Sequence, residues 1–226
     1  MIMSVSLALN CSANTAHREI SRPSLDETKA QEPLEISRRK QSNIKNTKGV
    51  VVLSKFVRGD FVRIYNGNGS LWYEFSYFYD DSDGKFDYPN DDFRPFAFHV
   101  DNFLLALKCT KRDDSSLEVI VNEETGLRKY VKADDPVLKL EEWDKFVLGV
   151  FAVTFDQNTN PLLEGPNDQT KKIAAPKSAI FRPVETRGNW LKVSWQSVEE
   201  QRTETVNGWI RWRNDETLLI DLSFFA

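Results

Sequence analysis

The run from Gly188 to Trp195, Gly-Asn-Trp-Leu-Lys-Val-Ser-Trp, restricts this chain more than any other stretch, because one kind of local structure suits it. Gly188-Asn189 is a turn pair, since both residues tolerate backbone angles that most side chains avoid. Beyond it, apolar and polar residues alternate with the period of two that a half-buried strand requires. Asn207-Gly208-Trp209-Ile210 starts another strand directly after a glycine, and Asn160 to Asp168 (Asn-Pro-Leu-Leu-Glu-Gly-Pro-Asn-Asp) carries a Gly-Pro turn. Glycines that set tight bends, and tryptophans that fill a narrow interior, together predict a small twisted β module over residues 156–226.

These three spaced motifs, apolar-x-Gly-Pro, Gly-Asn-Trp-x-Lys-Val and Gly-Trp-Ile, resemble the bacterial SH3 family over roughly the last third of the chain. The resemblance implies a five-stranded SH3-like barrel of a kind common in cell-envelope proteins. This chain departs from the family pattern in having Leu163 where an arginine is usual. A charged insert, Gln196 to Val206, also separates Trp195 from Asn207. Four of the six tryptophans, Trp190, Trp195, Trp209 and Trp212, fall in this third. Equivalent aromatics in SH3-like barrels line a groove, so the resemblance implies a surface for a peptide or a cell-wall component. The candidate ligand-binding residues are Trp190, Lys192, Trp209 and Trp212. Alternation places Trp190, Lys192 and Ser194 on one strand face and Leu191, Val193 and Trp195 on the other. Trp190 therefore suits a groove and Trp195 a core, while Trp209, directly after a turn glycine, also fits a core.

Before the module, residues 49–155 predict a separate antiparallel β domain with one helix. Val50 to Leu53 and Phe61 to Tyr65 are strand-like, and Asn66-Gly67-Asn68-Gly69 is a strong hairpin turn before Leu71 to Tyr79. Arg58-Gly59-Asp60 is read as a turn. Further strands are expected at Phe96–Val100, Phe103–Cys109, Leu117–Val121, Leu127–Val131 and Val150–Phe155. Asp134-Asp135-Pro136 offers a capping carboxylate and a first-turn proline, and Leu140, Trp143, Phe146, Val147 and Val150 share a helical face, so a helix is expected at about 136–149. The sequence leaves open whether this domain is a second barrel or a sheet capped by the helix.

Residues 1–11 form an apolar stretch that ends in Cys11 and resembles the end of a bacterial lipoprotein signal, which implies lipidation at Cys11. Residues 12–48 are polar, with Pro23, Pro33 and a basic Arg38-Arg39-Lys40, and lack any sustained apolar period; they are expected to be a disordered linker. An apolar start, a tether and a folded body together suggest a membrane-anchored lipoprotein of the envelope, the alternative being a cytoplasmic protein whose module serves assembly. With 30 basic and 34 acidic residues and a net charge of -4, a nucleic-acid partner is not favoured.

No catalytic constellation emerges. The only histidines are His17 and His99, and the chain lacks a Gly-x-Ser-x-Gly elbow, a glycine-rich phosphate loop and paired cysteines with metal-ligand spacing. Asp80 to Gly84 resembles a calcium loop, but the required first and twelfth ligands would be Tyr79 and Asn90, so an acidic turn is the better reading. Cys109, within an apolar run, is expected to be a buried small hydrophobe. No cofactor, metal or catalytic residue is expected, and the protein reads as a non-enzymatic binding module; a hydrolase with an acidic site around Asp80 to Asp92 is the less favoured rival.

Overall fold

The computed structural model describes residues 42–78, 90–199 and 202–225. Cys11, His17 and the acidic run from Asp80 to Asp87 lie outside them. The described residues are mainly β, with thirteen strands, one short helix and antiparallel pairing between strands throughout. No closed barrel is formed among them.

The largest sheet has eight strands: β1 (Gly49–Leu53), β2 (Val62–Tyr65), β3 (Leu71–Phe75), β4 (Ala97–His99), β5 (Leu104–Arg112), β6 (Ser116–Asn122), β7 (Leu127–Lys132) and β8 (Leu138–Glu141). They follow the order β3-β2-β7-β6-β5-β1-β8, with β4 also on β5. The Asn66–Gly69 turn closes the β2–β3 hairpin as its sequence predicts, with the Asn66 N–H donating to the Ser70 carbonyl at 2.8 Å. Strand β1 and the first part of β5, Leu104–Leu107, are apolar on both faces because both faces are covered. Val51, Leu105, Leu107 and Cys109 join one hydrophobic cluster with Val62, Ile64 and Val119. Val50 and Ala106, pointing the other way, join a second cluster with Trp143, Leu191, Val193, Ile210 and Trp212.

The helix, α1, is shorter than expected, covering Trp143–Leu148 and burying Trp143, Phe146 and Val147. Residues 138–141 form β8 instead and pair with β1, with Val50 opposite Glu141. The Asp135 carboxylate that suggested a helix cap accepts the N–H of Val137 at 3.0 Å, a local turn that feeds the strand. Leu140 thus lies on a strand, not on the helical face. The open edge of β1 supplies a ladder of backbone bonds that outweighs the local cap signal.

The linker expectation is corrected at its C-terminal end, since residues 42–48 are fixed in place. Ile44 is buried and its N–H donates to the Glu216 carbonyl at 2.7 Å, while the Leu218 N–H donates to the Ser42 carbonyl at 3.0 Å. Lys108, 1% exposed, anchors the segment by donating to the Asn43 carbonyl at 2.7 Å and to Glu123 Oε2 at 2.5 Å.

After α1 the chain runs through β9 (Ala152–Thr154), β10 (Arg182–Arg187), β11 (Trp190–Glu199), β12 (Arg202–Arg211) and β13 (Asp221–Ser223). Strands β10, β11 and β12 form a meander, and β13 pairs with β9. Isolated bridges join Val153 to Phe181 and Leu163 to Trp209. The charged insert lengthens the β11–β12 hairpin in unbroken register, from Trp190 opposite Arg211 to Glu199 opposite Arg202.

Candidate functional site

A cleft of about 290 Å³ opens where the loop after β9 meets the base of the β11–β12 hairpin. Its lining is mixed, apolar from Pro161, Leu163 and Leu219 and polar or aromatic from Trp190, Arg211 and Asp168. The turn between β10 and β11 places Trp190 at the start of its strand, with Gly188 at a φ of 58°, a backbone angle that favours glycine. The hairpin register then sets Arg211 directly across from Trp190. The guanidinium carbon of Arg211 lies 4.4 Å from the centroid of the Trp190 ring, so the two side chains stack.

Two further groups fix this stack. Arg211 donates from Nε to Asp168 Oδ1 at 3.1 Å and from Nη2 to Asp168 Oδ2, a two-pronged pairing. Asp168 sits in the loop that follows the Gly-Pro turn. The hydrogen bonds from Arg211 hold its carboxyl below the usual carboxylate range, and the same bonds push the guanidinium pKa up. Asn160, 8% exposed, clamps the main chain of Arg211 from both sides. Its Nδ2 donates to the Arg211 carbonyl at 2.7 Å and its Oδ1 accepts the Arg211 N–H at 3.1 Å. The Asn160 N–H itself donates to the Asp156 carbonyl at 2.8 Å.

The candidate ligand-binding residues therefore separate. Trp190 lines the cleft. Lys192, on the same strand, is half-buried and does not line it. Trp209 and Trp212 belong to the core, which corrects their assignment to a groove. Trp212 is 0% exposed, and its indole N–H donates to the Gly188 carbonyl at 3.1 Å. Trp209 is buried, and its backbone exchanges two 2.8 Å hydrogen bonds with Leu163. Trp195 is buried as well, as its strand face predicts. Arg187 and Arg213 stack on the outer sides of Trp209 and Trp212, with their guanidinium carbons 5.0 and 4.5 Å from the ring centroids.

Arg211, Asp168 and Asn160 carry no local mark of function. The detectable signal is the hairpin register: extending the β11–β12 pairing to the base places a cation opposite the half-buried Trp190.

His99 is exposed, with its ring edge-on to Phe225 at 5.2 Å and no side-chain hydrogen bond among the described residues. Cys109 is a buried free thiol whose pKa burial pushes up to about 11. Among the described residues no group of three His, Cys, Asp or Glu could hold a metal ion, and no helix is long and apolar enough to cross a membrane. A wider depression of about 510 Å³ lies beside Tyr65, Asn66, Tyr130 and Lys132. Two of its polar groups are already engaged, with the Tyr130 hydroxyl donating to Glu118 Oε2 at 3.2 Å and the Lys132 ammonium 5.6 Å from the Tyr65 centroid. No protein-family model, no curated protein and no solved structure matches this chain.

Proposed function

We propose that this chain is a non-enzymatic binding protein of a bacterial envelope, tethered through Cys11, whose residues 156–226 act as an SH3-like module for a peptide or a cell-wall component. The strand order supports the fold reading. The module itself holds a long loop carrying Gly165-Pro166, then a three-strand meander, then a last strand, β13, which pairs with β9 just ahead of the module. Bridges at Val153–Phe181 and Leu163–Trp209 draw these pieces around one set of buried rings.

The observation that carries the functional reading is the Trp190–Arg211–Asp168 stack. Half-exposed aromatic and charged groups in a cleft, fixed by a buried amide, are what a recognition surface needs. The test uses purified peptidoglycan in sedimentation and a peptide array, comparing the wild type with Trp190→Ala. Expected is loss of retention by Trp190→Ala with a shift in thermal midpoint of only a few degrees. Trp212→Ala, by contrast, should lose about 3–5 kcal/mol of stability, as a deleted core ring does. A collapse of stability in Trp190→Ala, or unchanged retention, refutes the reading.

A further inference from the structure

The donors of this cleft that are already engaged, and those that are not, narrow the ligand class. An arginine guanidinium carries five N–H donors in a flat fork and presents two edges that each match a carboxylate, the Nε/Nη2 side and the Nη1/Nη2 end. Asp168 takes the Nε/Nη2 side of Arg211. The Nη1 group makes no hydrogen bond among the described residues, so the end of the fork stays available. Its direction is fixed before a ligand arrives. Trp190 holds the plane from one face at 4.4 Å, Asp168 prevents rotation within that plane, and Asn160 locks the backbone beneath. A fork prepared in this way loses little rotamer freedom on binding.

The surroundings of that fork are chemically consistent with one kind of guest. The indole N–H of Trp190, a residue that lines the same cleft, makes no hydrogen bond among the described residues and is a further unused donor. Pro161, Leu163 and Leu219 supply apolar lining to the cleft, and about 290 Å³ has room for a side chain and a carboxylate.

We propose that the cleft binds a peptide carboxylate end-on at Nη1 and Nη2 of Arg211, with a neighbouring apolar side chain against Pro161, Leu163 and Leu219. This rests on the binding-module reading above. Asp168 is a positioning residue that holds the fork flat, while its own charge opposes the incoming anion. The carboxylate can come from a chain terminus or from an acidic side chain.

The experiment titrates the full chain with acetylated tripeptides and follows the indole N–H signal that vanishes in Trp190→Phe. Acetyl-Gly-Gly-Leu is used as free acid and as amide, and acetyl-Gly-Glu-Leu amide is compared with acetyl-Gly-Gln-Leu amide. A free acid that binds at least about tenfold tighter than its amide supports recognition of a terminus, and a similar preference for Glu over Gln supports recognition of a side chain. Arg211→Lys, which keeps the charge and loses the fork, should weaken the preferred peptide by about tenfold. Asp168→Asn, which removes the opposing charge and keeps one acceptor for the fork, should tighten it several-fold; weakening there would mean that the charge of Asp168 does not oppose the ligand, and overturns the proposal. Equal binding of acid and amide, and of Glu and Gln, overturns it while leaving the module reading intact. No response from any peptide also overturns it, and the peptidoglycan and array comparison then reports on the module independently.

Discussion

Replacing Gly49 by alanine should cost a large part of the stability of this fold. Gly49 opens β1 with a φ of 150°, and a Cβ built there would lie 2.1 Å from the backbone oxygen of Glu141. Ordinary contact begins near 3.4 Å, so that carbonyl must retreat by roughly 1.3 Å. It has little freedom to do so. Glu141 pairs with Val50 in β8, the next residue begins the approach to α1, and β1 is held on its other side by β5. Backbone strain at such an angle costs about 1–3 kcal/mol, and forcing packed strands apart costs a further 1–3 kcal/mol or so. The sum, about 4 kcal/mol, is a large share of the 5–15 kcal/mol typical of a domain. With a urea dependence of about 2 kcal/mol per molar, the midpoint should fall by about 2 M. Gly126→Ala, where φ is 73° with open space around the new atom, should lose only about 1–2 kcal/mol. Gly67→Ala, whose nearest neighbour is Tyr130 Cε2 at 3.4 Å, should be nearly neutral. A Gly49→Ala midpoint within about 0.3 M of the wild type would refute the reasoning.

Two further outcomes can be checked by the same unfolding assay. Lys108→Met strands the Asn43 carbonyl and the Glu123 carboxylate, whose side chain is 28% exposed, and should cost about 2–4 kcal/mol; adding Glu123→Gln should recover about half, and a double variant no more stable than the single would show that lost packing was the cause. Burial pushes the Cys109 thiol from 9.0 to about 11 and the Tyr73 phenol from 10.0 to about 12, so the folded state favours both neutral forms. That contribution is complete below the unfolded values and is lost as pH rises through the folded ones, so the urea midpoint should fall between about pH 9 and 12. A midpoint that stays level across that window would contradict it.

Strands were legible in this sequence wherever local chemistry and tertiary pairing agree. The Asn66–Gly69 turn fixes its hairpin unaided, and the alternation from Trp190 to Trp195 correctly sends Trp195 inward. Legibility fails where a distant partner decides. Asp135 looks like a helix cap, yet the free edge of β1 draws residues 138–141 into a strand. Residues 42–48 look like tether because Ile44 is their sole large apolar group, yet the buried ammonium of Lys108 and the backbone of Glu216 and Leu218 hold them. At the cleft, Trp190 was visible from its strand face, whereas Arg211 and Asp168 lie 43 residues apart and meet only once the loop has folded back. Kinship of motif points Trp209 and Trp212 to a groove, whereas both are buried, Trp209 bridged to Leu163 and Trp212 bonded to the Gly188 carbonyl.

The hydrophobic cluster that unites Val50, Ala106 and Trp143 with Leu191, Val193 and Trp212 has a practical outcome for anyone cutting this gene. Neither portion is a transplantable cassette. A fragment beginning at Asp156 would lose β9, the partner of its last strand, and uncover the rings that α1 shields; the complementary fragment would lose the surface on which α1 rests. Each piece expressed alone should be sticky and poorly ordered, and mixing the two should restore a cooperative fold.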